Sequence, residues 1–282
     1  MRPYVFVVCG LIIISSLLNV REAAAQDGLE VGTEVYYFNY KEPGFMEDQG
    51  VFYGINAGYS WHFSDWDIYD NTAGGNGEAP FMVRLDGRFA FGQVDYTSTG
   101  TGDINNIDDY VFETRLVGGY DFSLTGQSVL TPYVGFGYRY LNDDTSGKTT
   151  STGAFGYERE SNYLYVPIGV DLSVPVSGEW HFNANVEFDV FIQGEQKSHL
   201  GDAIAGLNTV NNDQNDGYGA RGSIRLTKEN ENTALFLEPF IRYWHIDDSE
   251  VSSVTYNGVL VGYGHEPENK TLEAGAKIGL RF

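Results

Sequence analysis

The segment TLEAGAKIGLRF, residues 271–282, alternates without a break. Leu272, Ala274, Ala276, Ile278, Leu280 and Phe282 fall on one face. Thr271, Glu273, Gly275, Lys277, Gly279 and Arg281 fall on the other, because successive side chains of a β-strand point to opposite sides. Residues 180–192 behave alike: Trp180, Phe182, Ala184, Val186, Phe188, Val190 and Ile192 alternate with His181, Asn183, Asn185, Glu187, Asp189 and Phe191. Strands of soluble proteins usually have about five or six residues, whereas a tilted strand needs about 9–11 to cross a bilayer. These runs have the membrane length.

Ten such runs follow one another, at 29–40, 51–63, 81–97, 109–124, 132–141, 161–175, 180–193, 217–228, 234–247 and 270–282. An even number suits a closed antiparallel barrel with both strand ends on one side of the membrane. The expected fold class is therefore all-β, a closed antiparallel transmembrane β-barrel of ten strands, with eight or twelve as the alternatives. The connections 125–131, 177–179 and 229–233 are short, while 98–108, 142–160, 194–216 and 248–269 are long and polar. One connection breaks the alternation of short and long: 64–80 stands where a short turn belongs, yet it is long and holds Trp66, Ile68 and Tyr69. Within 251–263, Asn257-Gly258 is a two-residue hairpin signal. Its arms are too short to span, so a hairpin above the rim is expected, and twelve strands would result if both arms crossed.

The phase of each run separates a lipid face from a lumen face. The less apolar face carries Glu30, Glu34, Asp86, Glu113, Asp121, Asp171, Glu187, Asp189, Glu238 and Glu273 together with Arg84, Arg88, Arg115, Arg139, Arg221, Arg225, Arg242, Lys277 and Arg281. Arginine and lysine facing lipid at the midplane would each cost about 2–4 kcal/mol, so this face turns inward. Small barrels have interiors that side chains fill, and the planar arginine fork suits carboxylates. An ion-paired, filled lumen is expected, with a wet channel through the same charges as the alternative.

The first residues resemble an export signal. Arg2 precedes an apolar stretch over 4–18, and Ala23-Ala24-Ala25 places small residues before Gln26. Residues 1–25 are expected to be a cleaved signal peptide and 26–282 one barrel domain. Cys9 leaves with the signal, so the mature chain has no disulfide or thiol chemistry. Beyond the signal no segment offers the roughly 18 consecutive apolar residues of a spanning helix. The mature chain carries 15 Lys and Arg (17 less Arg2 and Arg21) and 38 Asp and Glu (39 less Glu22), a net charge of −23. Much of the excess falls in segments read as loops, among them Glu47, Asp48, Asp108, Asp109, Asp143, Asp144, Asp202, Asp213, Asp216, Asp247, Asp248, Glu250, Glu266 and Glu268. Such a surface repels polyanions and excludes nucleic acid as a partner. Divalent cations at the acidic loops are a possible partner class, since hard cations take oxygen ligands.

The last four residues, Gly279-Leu280-Arg281-Phe282, resemble the C-terminal strand signature of outer-membrane β-barrel proteins, and the mature chain as a whole resembles the broad OmpA-like or porin-like superfamily. That resemblance implies residence in the cell outer membrane among outer-membrane lipid and lipopolysaccharide. It also implies Phe282 as the residue read by the barrel-assembly machinery.

No zinc spacing, phosphate loop or dinucleotide fingerprint occurs, and no cofactor is implied. The best catalytic candidates are His245 and Asp247, two residues apart at the top of the ninth run. A carboxylate in that position orients an imidazole as an acid–base pair. Ten strands with a rim His/Asp pair are similar to the omptin proteases, for which Asp108-Asp109 or Asp143-Asp144 would supply the opposing acids. His245 nevertheless falls on the lipid-facing phase, beside Tyr243 and Trp244 in what reads as an interfacial aromatic belt. Ser249, Ser252 and Ser253 near His245 lack a nucleophile motif, which leaves a lipid-modifying activity without support. The sequence points to a non-enzymatic barrel with a structural or interaction role. A narrow channel for small solutes is the alternative, and a rim hydrolase the second alternative.

Overall fold

The computed structural model of the protein describes residues 27–63, 81–124 and 127–282. The expected signal peptide and the dissenting connection 64–80 lie outside the described residues. Ten long strands form a closed antiparallel barrel. They are β1 (Gly28–Glu42), β2 (Met46–Phe63), β3 (Phe81–Ser98), β4 (Gly102–Tyr120), β6 (Val129–Asp144), β7 (Glu158–Ser177), β8 (Trp180–His199), β10 (Gly217–Glu229), β11 (Ala234–Ile246) and β14 (Asn269–Arg281). Short pieces complete the order: β5 (Phe122–Ser123), α1 (Leu200–Ala203), β9 (Thr209–Gln214), β12 (Ser252–Tyr256) and β13 (Val259–Gly264).

Each long strand pairs with its neighbour, β8 pairs with β10, and β14 returns to β1. Closure leaves no edge in the barrel wall, the condition for placing backbone N–H and C=O groups in hydrocarbon. The last rung is made by Phe282, whose N–H donates to the Leu29 carbonyl at 2.9 Å while the Leu29 N–H donates back at 3.2 Å.

The end bearing Gly28 and Arg281 is called the lower end. The outer wall is apolar across the middle, where Val35, Ile55, Leu85, Leu116, Phe136, Ile168, Val186, Ile224, Leu237, Ile241 and Ile278 are all exposed. Aromatic rings border this belt. Trp61, Phe63, Phe81, Tyr120, Phe122 and Trp180 lie below, and Tyr37, Tyr110, Tyr140, Tyr218 and Tyr243 above, the arrangement of a bilayer-spanning barrel.

All ten expected strands are present, and the β12–β13 hairpin is a separate two-stranded sheet turning at Asn257 (φ 48°) and Gly258 (φ 80°). The upper loops differ from expectation. The expected loop 98–108 is a turn at 99–101 between strands that stay paired, with a bulge near Val94 and Tyr96. Likewise β6, β7 and β8 run to Asp144, from Glu158 and to His199. Above the belt the outward positions are polar, such as Asn39, Gln49, Gln93, Asp108, Asn142 and Glu160. The ladder needs no apolar outer face to continue, so polar residues at the outward positions hide the period from a sequence reading.

Candidate functional site

The interior is layered. In the lower half, charged side chains surround a cavity of about 370 Å³ that reaches Gly28, His62 and Arg281. Arg84 donates to Asp86 at 3.1 Å and to Asp171 at 2.9 Å. Arg225 bridges Glu30 and Glu238, both at 2.7 Å, and Lys277 donates to Glu238 at 3.0 Å. Asp121 accepts from Thr131 at 2.5 Å, and Arg281 reaches Glu229 at 2.8 Å.

Above lies a layer in which five arginines meet five acids. Arg88 donates to Glu113 at 2.6 Å and to Glu273 at 3.1 Å. Arg242 donates to Glu34 at 2.8 Å and to Glu273 at 3.0 Å, and Arg139 reaches Glu273 at 3.2 Å. Arg115 forks onto Glu187 at 2.7 and 2.9 Å. Arg221 holds Asp189 and Glu113, both at 2.8 Å. Tyr133 and Tyr165 donate to Glu187 and Glu113, each at 2.5 Å. Charge-assisted bonds of this kind are roughly twice as strong as neutral ones. Every lumen residue expected from the phase of the strands lies inside the barrel.

The next layer is apolar. Tyr36, Phe38, Tyr40, Met46, Phe52, Ala90, Val94, Ile104, Ile107, Val111, Leu141 and Phe240 form one buried cluster, and Tyr163, Tyr165, Phe191, Trp244 and Ile246 another. Phe38 and Phe52 rings stand 4.5 Å apart. This layer has no counterpart in the sequence reading, which assigned the lumen to charges alone.

At the top, above the outer belt, Asp48 of β2, Asp109 of β4 and Asp143 of β6 turn inward and are buried. The sequence reading placed all three in loops, and the structure corrects that. Asp48 keeps the inward phase of Phe52, Asp109 that of Glu113 and Asp143 that of Arg139, so extending each phase upward is the signal that finds them. Beside them Arg159 donates to Glu42 at 2.5 Å and to Glu266. Tyr40 donates to the same two carboxylates, at 3.2 and 3.3 Å. Glu266 lies in the loop after β13; burial and the neighbouring Glu42 outweigh Arg159 and push its carboxyl up to about 7.

The two catalytic candidates meet each other. His245 Nε2 lies 2.9 Å from Asp247 Oδ1 on the outer wall, and the imidazole packs 5.2 Å from the Tyr218 ring. Asp109 and Asp143 face the interior, so the barrel wall separates them from the pair. The belt reading holds for His245 and Tyr243 but not for Trp244, which is buried inside because its phase is that of Arg242.

Among solved structures, the outer membrane protease OmpT from Escherichia coli is similar at 10% identity and TM-score 0.59, covering 93% of this chain and 98% of that one. The translocator domain of the autotransporter NalP from Neisseria meningitidis is similar at 9% identity and TM-score 0.39, covering 93% of this chain and 90% of that one. No curated protein matches the chain. The first likeness shows the barrel fold alone, but the family model for the autotransporter beta-domain matches residues 74–218, just over half the sequence. The chain is a β-barrel of the bacterial outer membrane and belongs to the autotransporter beta-domain family.

Proposed function

We propose that the protein is a closed, non-conducting barrel with a structural role that also presents its acidic upper loops as an interaction surface. The observation that carries this reading is the buried apolar cluster around Phe38, Phe52 and Ile107, stacked on five neutralised arginines. Together they pack the interior between the lower cavity and the small space beside Asp48, Asp109 and Asp143. Outer-membrane lipid and lipopolysaccharide are the surroundings of the belt, and the barrel-assembly machinery is the reader of Phe282.

The test is single-channel recording of the mature protein in planar bilayers, after a heat-shifted gel band has established folding. A folded but silent barrel is expected. Discrete conductance steps would overturn the reading in favour of a narrow solute channel, for which the lower cavity would be the entrance. The protease reading rests on fold likeness: Asp109 and Asp143 lie across the wall from His245 and Asp247, and Asp108 and Asp144 stand on β4 and β6, which do not neighbour β11. Proteolysis by the folded protein that His245→Ala abolished would restore it.

A further inference from the structure

We propose that the chamber formed by Asp48, Asp109 and Asp143 at the upper end of the barrel is a binding site for a divalent cation of the calcium class. The carboxylates arrive from three different strands and line a cavity of about 10 Å³, together with Gln196, Ser161 and Arg159. That is about the space one water-sized particle needs.

Two observations beyond the gathering of acids point to a ligand. Asp48 is 2% exposed and Asp109 3% exposed, yet Oδ1 of each has no hydrogen-bond partner, and the same holds for Oδ1 of Asp143. An ionised carboxylate so placed is costly unless a cation compensates it. The second observation is the local charge balance. Among the described residues Arg159 is the one basic residue lining the cavity, and its Nη2 is committed to Glu42 and Glu266. Its closest approach to Asp143 is 3.9 Å. The five-arginine layer further down, by contrast, matches each acid with arginine.

The donor set selects the ion. The three carboxylates offer only oxygen, which suits Ca²⁺, a cation that accepts about 6–8 oxygens in adaptable geometry, while beside them Ser161 donates to the Gln196 side-chain oxygen. Zinc prefers nitrogen and sulfur ligands. Among the described residues, one set already holds its ligand atoms within 4.8 Å of one another: Glu158, Glu160 and His199, on the outer face. Those three are partly exposed, Asn142 donates to Glu158 at 2.7 Å, and His199 already contacts Glu160 at 2.9 Å and Thr209 at 3.2 Å. The aspartates do not yet share a point, so they close by side-chain rotation as the ion enters.

The experiment uses the folded mature barrel in detergent micelles after chelator treatment. Tb³⁺ is added as a calcium mimic, and its emission is excited through Tyr40, which lines the cavity. Sensitised emission that Ca²⁺ quenches is expected, with Ca²⁺ also raising the urea midpoint of unfolding. Asp109→Asn should raise the calcium-free midpoint, by relieving repulsion, and weaken Ca²⁺ binding at least tenfold. His199→Ala should leave binding unchanged. No sensitised emission from folded wild-type protein would overturn the proposal, as would a midpoint that responds to pH but not to Ca²⁺. So would calcium binding that survives Asp48→Asn, Asp109→Asn and Asp143→Asn combined, which would place the ion on the outer loops.

Discussion

Arg139 of β6 and Glu273 of β14 meet at 3.2 Å across the barrel, and neither side chain has any exposed surface. Glu273 also takes Arg88 at 3.1 Å and Arg242 at 3.0 Å, so one carboxylate ties together strands far apart in sequence. Glu273→Ala leaves three arginines short of an acceptor. Removing one partner of a buried ion pair costs about 3–5 kcal/mol, and a loss of that order is expected. Arg139→Met should cost less, because Glu273 keeps two partners. Urea unfolding in lipid vesicles, with an unchanged m-value, checks both.

Gly137 marks a second contact that the interior depends on. A Cβ built there would lie 2.1 Å from Tyr165 Cζ. The ring cannot swing away, because Trp244 packs 5.0 Å from it and its hydroxyl holds Glu113 at 2.5 Å. Gly137→Ala should destabilise by about 1–3 kcal/mol, the usual cost of overpacking. Adding Tyr165→Leu should recover part of the loss. Additive losses in the double variant would contradict the contact.

The upper chamber should respond to pH in the direction opposite to ordinary acid denaturation. Burial, then Glu42, hold the Glu266 carboxyl at about 7, while Arg159 opposes them. A raised carboxyl pKa means that the folded state binds the proton more tightly, so this group's contribution to stability is lost as pH rises from about 4.5 through 7. Protection of the amides in 247–268, after correction for the intrinsic pH dependence of hydrogen exchange, should therefore be greater at pH 5.5 than at pH 8. Glu266→Gln should flatten that dependence. The groups facing Glu266 are Arg159, Glu42 and Tyr40, and a profile that persists in the variant would show that Glu266 is not its source.

The rung between Phe282 and Leu29 closes the ladder with two backbone hydrogen bonds, which no side chain provides. Phe282→Ser keeps them and should leave the unfolding midpoint within about 1 kcal/mol, as expected for a change at an exposed terminus. If Phe282 is also the assembly signal, the same variant should slow insertion in cells while folding in vesicles proceeds. Equal slowing in both would assign the ring a purely structural role.

Much of this protein was legible in its sequence. Long period-two runs such as 180–192 and 271–282 specify spanning strands, because one face must meet lipid and the other must not. The same phase assigned Arg88, Glu113, Glu187, Arg221 and Glu273 to the interior. Asn257-Gly258 announced a hairpin because the type I′ turn, one of the two that join arms so closely, needs positive φ at both central residues, which Asn and Gly tolerate.

What the sequence did not determine is which residues meet across the lumen. Arg139 and Glu273 are 134 positions apart, and their pairing follows from barrel closure, strand stagger and tilt, which no local pattern encodes. The apolar layer was hidden for the same reason: Phe38, Phe52 and Ile107 sit in the inward phase among charged residues, and stacking them at one height requires the register of the ladders. The aspartate chamber escaped because above the belt the outward positions of a strand are polar too. Period two then loses its contrast: the inward phase of Phe52, Glu113 and Arg139 still reaches Asp48, Asp109 and Asp143, but only the folded barrel shows that the strands run on that far.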